Sequence, residues 1–344
     1  MPRDYFQKSY FRFYPHDAEF FDAHIKGRLP DKITDAHIHV CLPKHVAGVT
    51  PETIAGDWAA QCACKLEVSD AERYAKRLFP GVKTSFVLLP TVFVETDTAA
   101  NNAYVASFGN KYAGLMSVRP QMPAEQVERE FVSGGFRGFK PYPYMASGVK
   151  GAEVSVFDFM PESFFKIAAK YKSAVLLHLP RAGRMPDKDN IREIREILNK
   201  FPEARLVIAH FGRCFCAEHF ERALELLGRD VKGLYFDTAA VLNPAVYRLA
   251  FDNLDCKKII FGTDMPVMLW HGKREWKDGK YFNLCREDFP WNAHKYPDEE
   301  KKYTFYIYEQ IKNILDAAGN NADIIKAVFY GNAETVYGKG DNLR

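Results

Sequence analysis

The 344-residue chain has no apolar run approaching the roughly 18 residues that a membrane-crossing helix needs. Its opening, MPRDYFQKSYFRFYPHDAEFF, carries charges throughout and lacks the apolar stretch of a secretory signal. These two absences lead to the expectation of a cytoplasmic protein with no membrane partner. Cysteine is sparse: Cys41, Cys62, Cys64, Cys214, Cys216, Cys256 and Cys285 are an odd number in a long chain, which argues against a disulfide framework. Charge of one sign is also missing. The 47 basic and 44 acidic residues leave a net charge of +3 without a clustered basic excess, so no nucleic-acid partner is expected. No GxGxxG or Walker A pattern follows any apolar run, which weakens a nucleotide-binding open sheet. Low-complexity segments, internal repeats and linkers are absent too, and residues 1–344 are read as one domain.

What is present is a chain 47% hydrophobic and 14% aromatic, enough for a large core. Short β-rich runs alternate with longer helical segments. Strands are expected at 33–38, 84–90, 114–118, 136–140, 174–179, 205–210, 233–238 and 258–263. SFVLLP, AVLLHL, RLVIAH and KIIFGT are continuous apolar runs, as buried parallel strands should be. The clearest helices are at 164–171, 189–200, 216–227 and 244–253, with Asp189 a candidate N-cap and Pro202 a stop. Eight such βα units imply an α/β protein with a closed (β/α)8 barrel. Residues 1–32 read as a helical extension, 267–300 as an aromatic-rich insertion over the mouth, and 301–337 as a return to helix.

In a barrel, reactive side chains come from the C-terminal ends of the strands. The metal-capable residues of this chain stand at those ends. The first strand ends DAHIH with His37 and His39, the fourth GFRGFK with Lys140, the fifth LLH with His178, the sixth IAH with His210 and the eighth GTD with Asp264. Positions i and i+2 of a strand share a face, so His37 and His39 can aim together into the mouth. A third histidine, His178, and the Asp264 carboxylate would complete a shell suited to Zn2+ or a similar first-row cation. Each piece is weak alone, since strand-end histidines are often merely hydrogen-bonded. Four of the chain's 10 histidines and an aspartate at such ends make a much stronger pattern.

The ordered set DAHIHV, GFRGFK, LLHLP, VIAHFG, FGTDMP and FYGNAETVYG resembles the amidohydrolase superfamily, and within it amidohydrolase family 2. That group holds lactone hydrolases and non-oxidative decarboxylases such as aminocarboxymuconate-semialdehyde decarboxylase. The resemblance runs from Ile33 to Gly338. It implies one divalent metal, usually zinc, on His37, His39, His178 and Asp264, with His210 as the base or electrophile beside it. It also implies hydrolysis by an activated water, in which Asp264 takes the proton and passes it to the leaving group. The expected substrate is small, carboxylate-bearing or cyclic (a lactone or an amide). Non-oxidative decarboxylation of a small aryl or unsaturated acid is the alternative, and a non-catalytic metal-binding scaffold is the reading from another class. In dinuclear relatives a lysine at the end of the fourth strand bridges two metals as a carbamate. Lys140 holds that place, so a second metal, or a substrate contact, is weighed for it.

Arg181 and Arg213, close behind His178 and His210, are candidates for pairing with a substrate carboxylate, against the alternative that they pair with helix carboxylates. The two CxC pairs read as core or helix-face residues, with Cys214 near enough to His210 to line the site. Trp270, Trp276, Phe282, Phe289 and Trp291 suit either a substrate lid or a homodimer contact. His271 and His294 are read as surface histidines.

Overall fold

The computed structural model describes residues 11–63, 65–91, 93–146, 153–228, 233–319 and 321–338. Its centre is an eight-stranded sheet in sequence order: β1 (Lys32–Val40), β2 (Lys83–Pro90), β3 (Ala113–Met116), β4 (Gly138–Phe139), β5 (Ala174–Leu177), β6 (Arg205–Ile208), β7 (Leu234–Asp237) and β8 (Ile259–Ile260). Every neighbouring pair is parallel. The ring closes where the Ala36 amide donates to the Phe261 carbonyl (3.0 Å) and the Asp264 amide to the His37 carbonyl (2.8 Å). The expected (β/α)8 barrel is therefore the fold; β1 and β2 run slightly longer than expected, and β3 to β8 are shorter because each leaves the ladder before the expected end.

The period of two along each strand separates two cores. Val87, Leu89, Leu115, Leu176, Val207 and Ile260 pack together inside the barrel with Val336 and Tyr337 of the final helix, Asn332–Tyr337. Phe86, Leu88, Val175, Leu177, Leu206 and Ile208 point outward into the larger core beneath the helices. Arg205, at the start of β6, donates to the Val336 carbonyl, so this last helix plugs the end of the barrel opposite the mouth. The helix Lys188–Lys200 is capped by Asp187, whose carboxylate accepts the Asp189 and Asn190 amides, rather than by Asp189.

The insertion after β8 folds as a hairpin, β9 (Gly272–Lys277) and β10 (Lys280–Cys285), with Lys277 opposite Lys280. Its two-residue turn is Asp278-Gly279 with φ of 51° and 67°, the left-handed pair that matches strand twist. The extension supplies the helix Pro15–His24, and residues before 11 lie outside the described set. Against the expectation from the sequence, His271 is not a surface histidine. It is fully buried, with Nδ1 2.7 Å from Glu287 and Nε2 3.1 Å from Asp17, and so ties the N-terminal helix to the insertion. His294 is partly exposed and paired with Glu300 and Asp288. No helix among the described residues is long and apolar enough to cross a membrane.

Candidate active site

A cavity of about 170 Å3 opens at the C-terminal end of the strands, and His37, His39, Lys140, His178, His210 and Asp264 all line it. β1 delivers the first two. A register shift between Asp35 and Ile38 lets the strand turn His37 inward, and Gly262 opposite makes room, since a Cβ there would lie 2.7 Å from the Cβ of His37. Asp35 fastens this end of β1 to the end of β8 by accepting the Thr263 amide (2.9 Å) and hydroxyl (2.5 Å). Burial raises the Asp35 pKa to about 7.

The hydrogen bonds fix the protons on three imidazoles. His39 donates from Nδ1 to the Pro90 carbonyl at 2.8 Å, and His210 donates from Nδ1 to the Ala239 carbonyl at 2.9 Å. A carbonyl only accepts, so in each neutral ring Nε2 keeps its lone pair. His37 does the same through Nδ1 to Asp237, at 2.7 Å. The Nε2 atoms of His37 and His39 then face one another across 3.3 Å, with Asp264 Oδ1 at 3.5 Å from the first and 3.7 Å from the second. Ligand atoms of His37, His210 and Asp264 all lie within 4.8 Å of one another. Lone pairs so arranged repel unless a cation sits among them. Imidazoles held at Nδ1 by carbonyl or carboxylate acceptors are the usual setting of metal ligands. The donor set therefore fits a divalent ion.

His178 stands farther out. Its ring centroid is 5.5 Å from that of His210 and 5.0 Å from that of Tyr142, and its buried Nδ1 has no hydrogen-bond partner among the described residues. Lys140 is fully buried, with Nζ 3.3 Å from His37 Nε2. Burial, with the Lys140 charge adding to it, depresses all four histidines; His39 is held at about 3, and so is His210, where Asp237 opposes the shift. Burial also pushes Asp264 up against the opposing pull of Lys140, and pushes Lys140 down against the pull of Asp237 and Asp264.

His210 sits on unusual backbone. The chain leaves β6 after Ile208 and runs through His210, Phe211, Gly212 and Arg213 at φ of 58°, 46°, 67° and 64°. Each non-glycine residue held there costs about 1–2 kcal/mol. Contacts on every side compensate. Asp237 accepts the His210 amide at 2.6 Å, Gly212 bonds to Ala209 and Met185, and Phe211 is fully buried. Gly212 is required, since a Cβ there would lie 2.4 Å from the Cβ of Met185. Asp237 thus orients both His37 and His210. It was not foreseen in the sequence, where YFDTAA reads only as the end of a strand.

The two candidate arginines part company. Arg213 lines the cavity, its Nη1 donating to the Leu179, Pro180 and Arg181 carbonyls. Arg181 does not line it: both terminal nitrogens bond to Glu193, at 2.7 and 3.0 Å, as the helix-carboxylate alternative anticipated. A second cavity guanidinium comes instead from β9. Arg274 is buried over the Tyr281 ring at 4.4 Å and bonds to Asn283 and Ala240. Of the aromatic insertion set, Trp276 donates to the Phe215 carbonyl, and Trp270 and Phe289 are buried in the core. Cys214 is buried but outside the cavity lining, as is Cys62, while Cys64 lies outside the described residues.

The sequence profile of a family described as amidohydrolase matches residues 34–339. None of the curated proteins matches the chain significantly. Among solved structures, the chain is similar to a probable 2-pyrone-4,6-dicarboxylic acid hydrolase from Acinetobacter baumannii with citric acid bound. Identity there is 16% and the TM-score 0.57, over 89% of this chain and 99% of that one. It is similar to 5-carboxyvanillate decarboxylase from Sphingomonas paucimobilis at 14% identity and TM-score 0.53, over 90% and 99% of the two chains. A dihydroxybenzoic acid decarboxylase from Polaromonas sp. JS666, with bound manganese and the inhibitor 2-nitroresorcinol, matches at 13% identity and TM-score 0.53, over 91% and 99%. These likenesses establish the shared fold.

Proposed function

This chain belongs to the amidohydrolase family, and we propose that it is a metal-dependent hydrolase of a small cyclic or carboxylate-bearing substrate, a lactone or an amide. Family membership makes it an enzyme, which sets aside the non-catalytic scaffold. The observation that carries the reading is the convergence of unprotonated Nε2 atoms of His37, His39 and His210 with the Asp264 carboxylate in one cavity. His37, His39, His178 and Asp264 are the proposed ligands of one divalent ion, and imidazole with carboxylate favours zinc. An ion held there supplies Lewis acidity, acidifying water and polarising a carbonyl.

The chain's own groups supply the rest. Asp264 takes the proton of the attacking water and returns it to the leaving group. His210, with its proton held on Nδ1 by Ala239, presents an acceptor. It therefore orients the attacking water and does not donate to an oxyanion. Arg213 and Arg274 form no ion pair among the described residues and line the cavity, where they receive the substrate's carboxylate. Lys140 serves as an amine toward substrate or Asp264 rather than as a carbamate between two metals.

Decarboxylation of a small aryl or unsaturated acid is the second reading. An acceptor His210 can activate the water that protonates the substrate carbon, and decarboxylases share this fold. The two reactions separate by product. The metal-loaded protein, given a panel of lactones, amides and aryl carboxylates in 18O-labelled water, is expected to yield a labelled acid. Release of CO2 without label in the organic product would replace hydrolysis by decarboxylation.

A further inference from the structure

The cavity over the histidines does not end at its rim. Trp58 and Tyr281 line it, and the same two residues line a second hollow of about 400 Å3 on their other side, with Phe282, Leu284 and Trp291. The inner chamber, at about 170 Å3, is of the size that accepts a single ring: an apolar cavity of roughly 150 Å3 takes up benzene. The outer hollow is more than twice as large.

The outer walls are aromatic and set in place. Tyr281 is held edge-on to Phe215 at 5.1 Å and beneath Arg274, and Trp58 stands edge-on to Trp291 at 6.3 Å. The polar residues of the hollow are engaged within the protein. Asn292 donates to the Cys285 and Glu287 carbonyls and accepts the His294 amide, Asn283 accepts from Arg274, and Lys295 faces Glu275 and the Tyr296 ring. What remains for a ligand is mainly ring surface, with the Trp291 indole nitrogen the buried side-chain polar atom of the hollow that has no hydrogen-bond partner among the described residues. Phe282 is 51% exposed, Trp58 37% and Tyr144, on the rim of the inner chamber, 55%; they are three of the five large apolar side chains exposed among the described residues. Clustered exposed aromatics beside a reactive chamber mark a binding surface.

We propose that the substrate has two parts: a one-ring head bearing the reactive group in the histidine chamber, and a flat apolar tail that passes between Trp58 and Tyr281 to lie against Phe282 and Trp291. The substrate class is thus an aryl-extended acid or lactone rather than a single-ring one. This rests on the functional reading above for the head, whereas the tail groove is read from the second hollow alone.

The test uses benzoate, biphenyl-3-carboxylate and biphenyl-4-carboxylate as probes of the metal-loaded protein, with calorimetric Kd values and light scattering. One of the biphenyl acids is expected to bind about tenfold tighter than benzoate, the scale of one well-placed aromatic contact. Phe282→Ser, at an exposed position that lines the outer hollow and not the histidine chamber, should remove most of that advantage while leaving the Kd of benzoate unchanged, and Trp58→Ala, at a residue that lines both, should weaken the biphenyl acid more than benzoate. Equal Kd values for benzoate and both biphenyl acids overturn the tail groove but leave the head reading standing. Absence of binding by all three overturns both. A change of oligomeric state in Phe282→Ser with the biphenyl advantage intact also overturns it, and assigns the hollow to a second copy of the chain.

Discussion

Among the described residues, buried histidine stands beside carboxylate in two places, and the two differ in one respect. At the mouth, His37, His39 and His210 each have Nδ1 engaged by an acceptor and line a cavity, with Lys140 Nζ 3.3 Å from the Nε2 of His37. Between the N-terminal helix and the insertion, His271 has both ring nitrogens against carboxylates, Asp17 and Glu287, with the Phe305 ring 4.1 Å away, and it does not line the histidine cavity. In the first cluster several acceptors converge with one donor, Lys140, beside them, an arrangement that suits a cation. In the second, both ring nitrogens are taken up by carboxylates, an imidazolium between two anions. Burial of histidine beside carboxylate therefore does not identify a site; an open nitrogen facing a cavity does.

Breaking the second cluster should produce the largest loss of stability. His271→Ala leaves Asp17 and Glu287 without their shared partner, and the expected cost is about 3–5 kcal/mol, read as a lower urea midpoint with metal content unchanged. Loss of metal in this variant would merge the two clusters into one functional unit. Asp264→Asn should act on the first cluster alone. Turnover should fall by about 10²-fold or more, the scale of losing a positioned acid–base group, with metal at least partly retained. Near wild-type turnover with metal bound would pass the proton role to His210 and strengthen the decarboxylase reading.

Asp237→Asn is subtler. An amide still accepts from the His210 amide, but its NH2 faces the Nδ1–H of His37 and disfavours the tautomer the site needs. Metal affinity should fall by about 10–100-fold, as for other partners of metal ligands. An unchanged affinity, measured by competition with a chelator, would show that Asp237 is only part of the packing.

The smallest effect is the pH dependence of the His271 cluster. Burial pulls the His271 pKa down, but hydrogen bonds and charges from Asp17 and Glu287 outweigh it, and the net shift is upward. Its contribution to stability is therefore complete below the unfolded-state pKa and is lost as pH rises through the raised folded-state value. Asp17 is shifted downward and behaves oppositely: burial raises it, and the His271 hydrogen bond leads the groups that outweigh burial. Its contribution fades as pH falls through its lowered value. Wild-type Tm should decline from neutral pH into the alkaline range more steeply than that of His271→Gln. Parallel profiles would mean that His271 is not charged in the fold.

The barrel was legible because buried parallel strands are apolar on both faces, so that AVLLHL and RLVIAH stand out from the helices around them. Their ends were less so. Sequence carries no sign that the chain turns left-handed at His210, since that backbone is held by Asp237 and by Met185, far away in the chain. The candidate histidines and Asp264 were found because the residue types are rare and recur at strand ends. Asp237 and Arg274 were not, because one ordinary aspartate and one arginine in an insertion carry no such signal. The hairpin did have one, the Asp278-Gly279 pair between β-prone runs. His271 was misjudged because its partner Asp17 lies 254 residues earlier, and polar neighbours in sequence say nothing of a buried carboxylate from elsewhere.

The most direct test of the central claim is metal content by elemental analysis across three proteins: the wild type, the double variant His37→Ala/His39→Ala, and His271→Ala. The account predicts about one equivalent of a divalent ion in the first, with zinc favoured, none in the second, and the wild-type amount in the third. Full occupancy in the double variant would contradict the assignment of the open Nε2 cluster as the metal centre. Two equivalents in the wild type, with extra density on Lys140 between them, would contradict the single-metal reading.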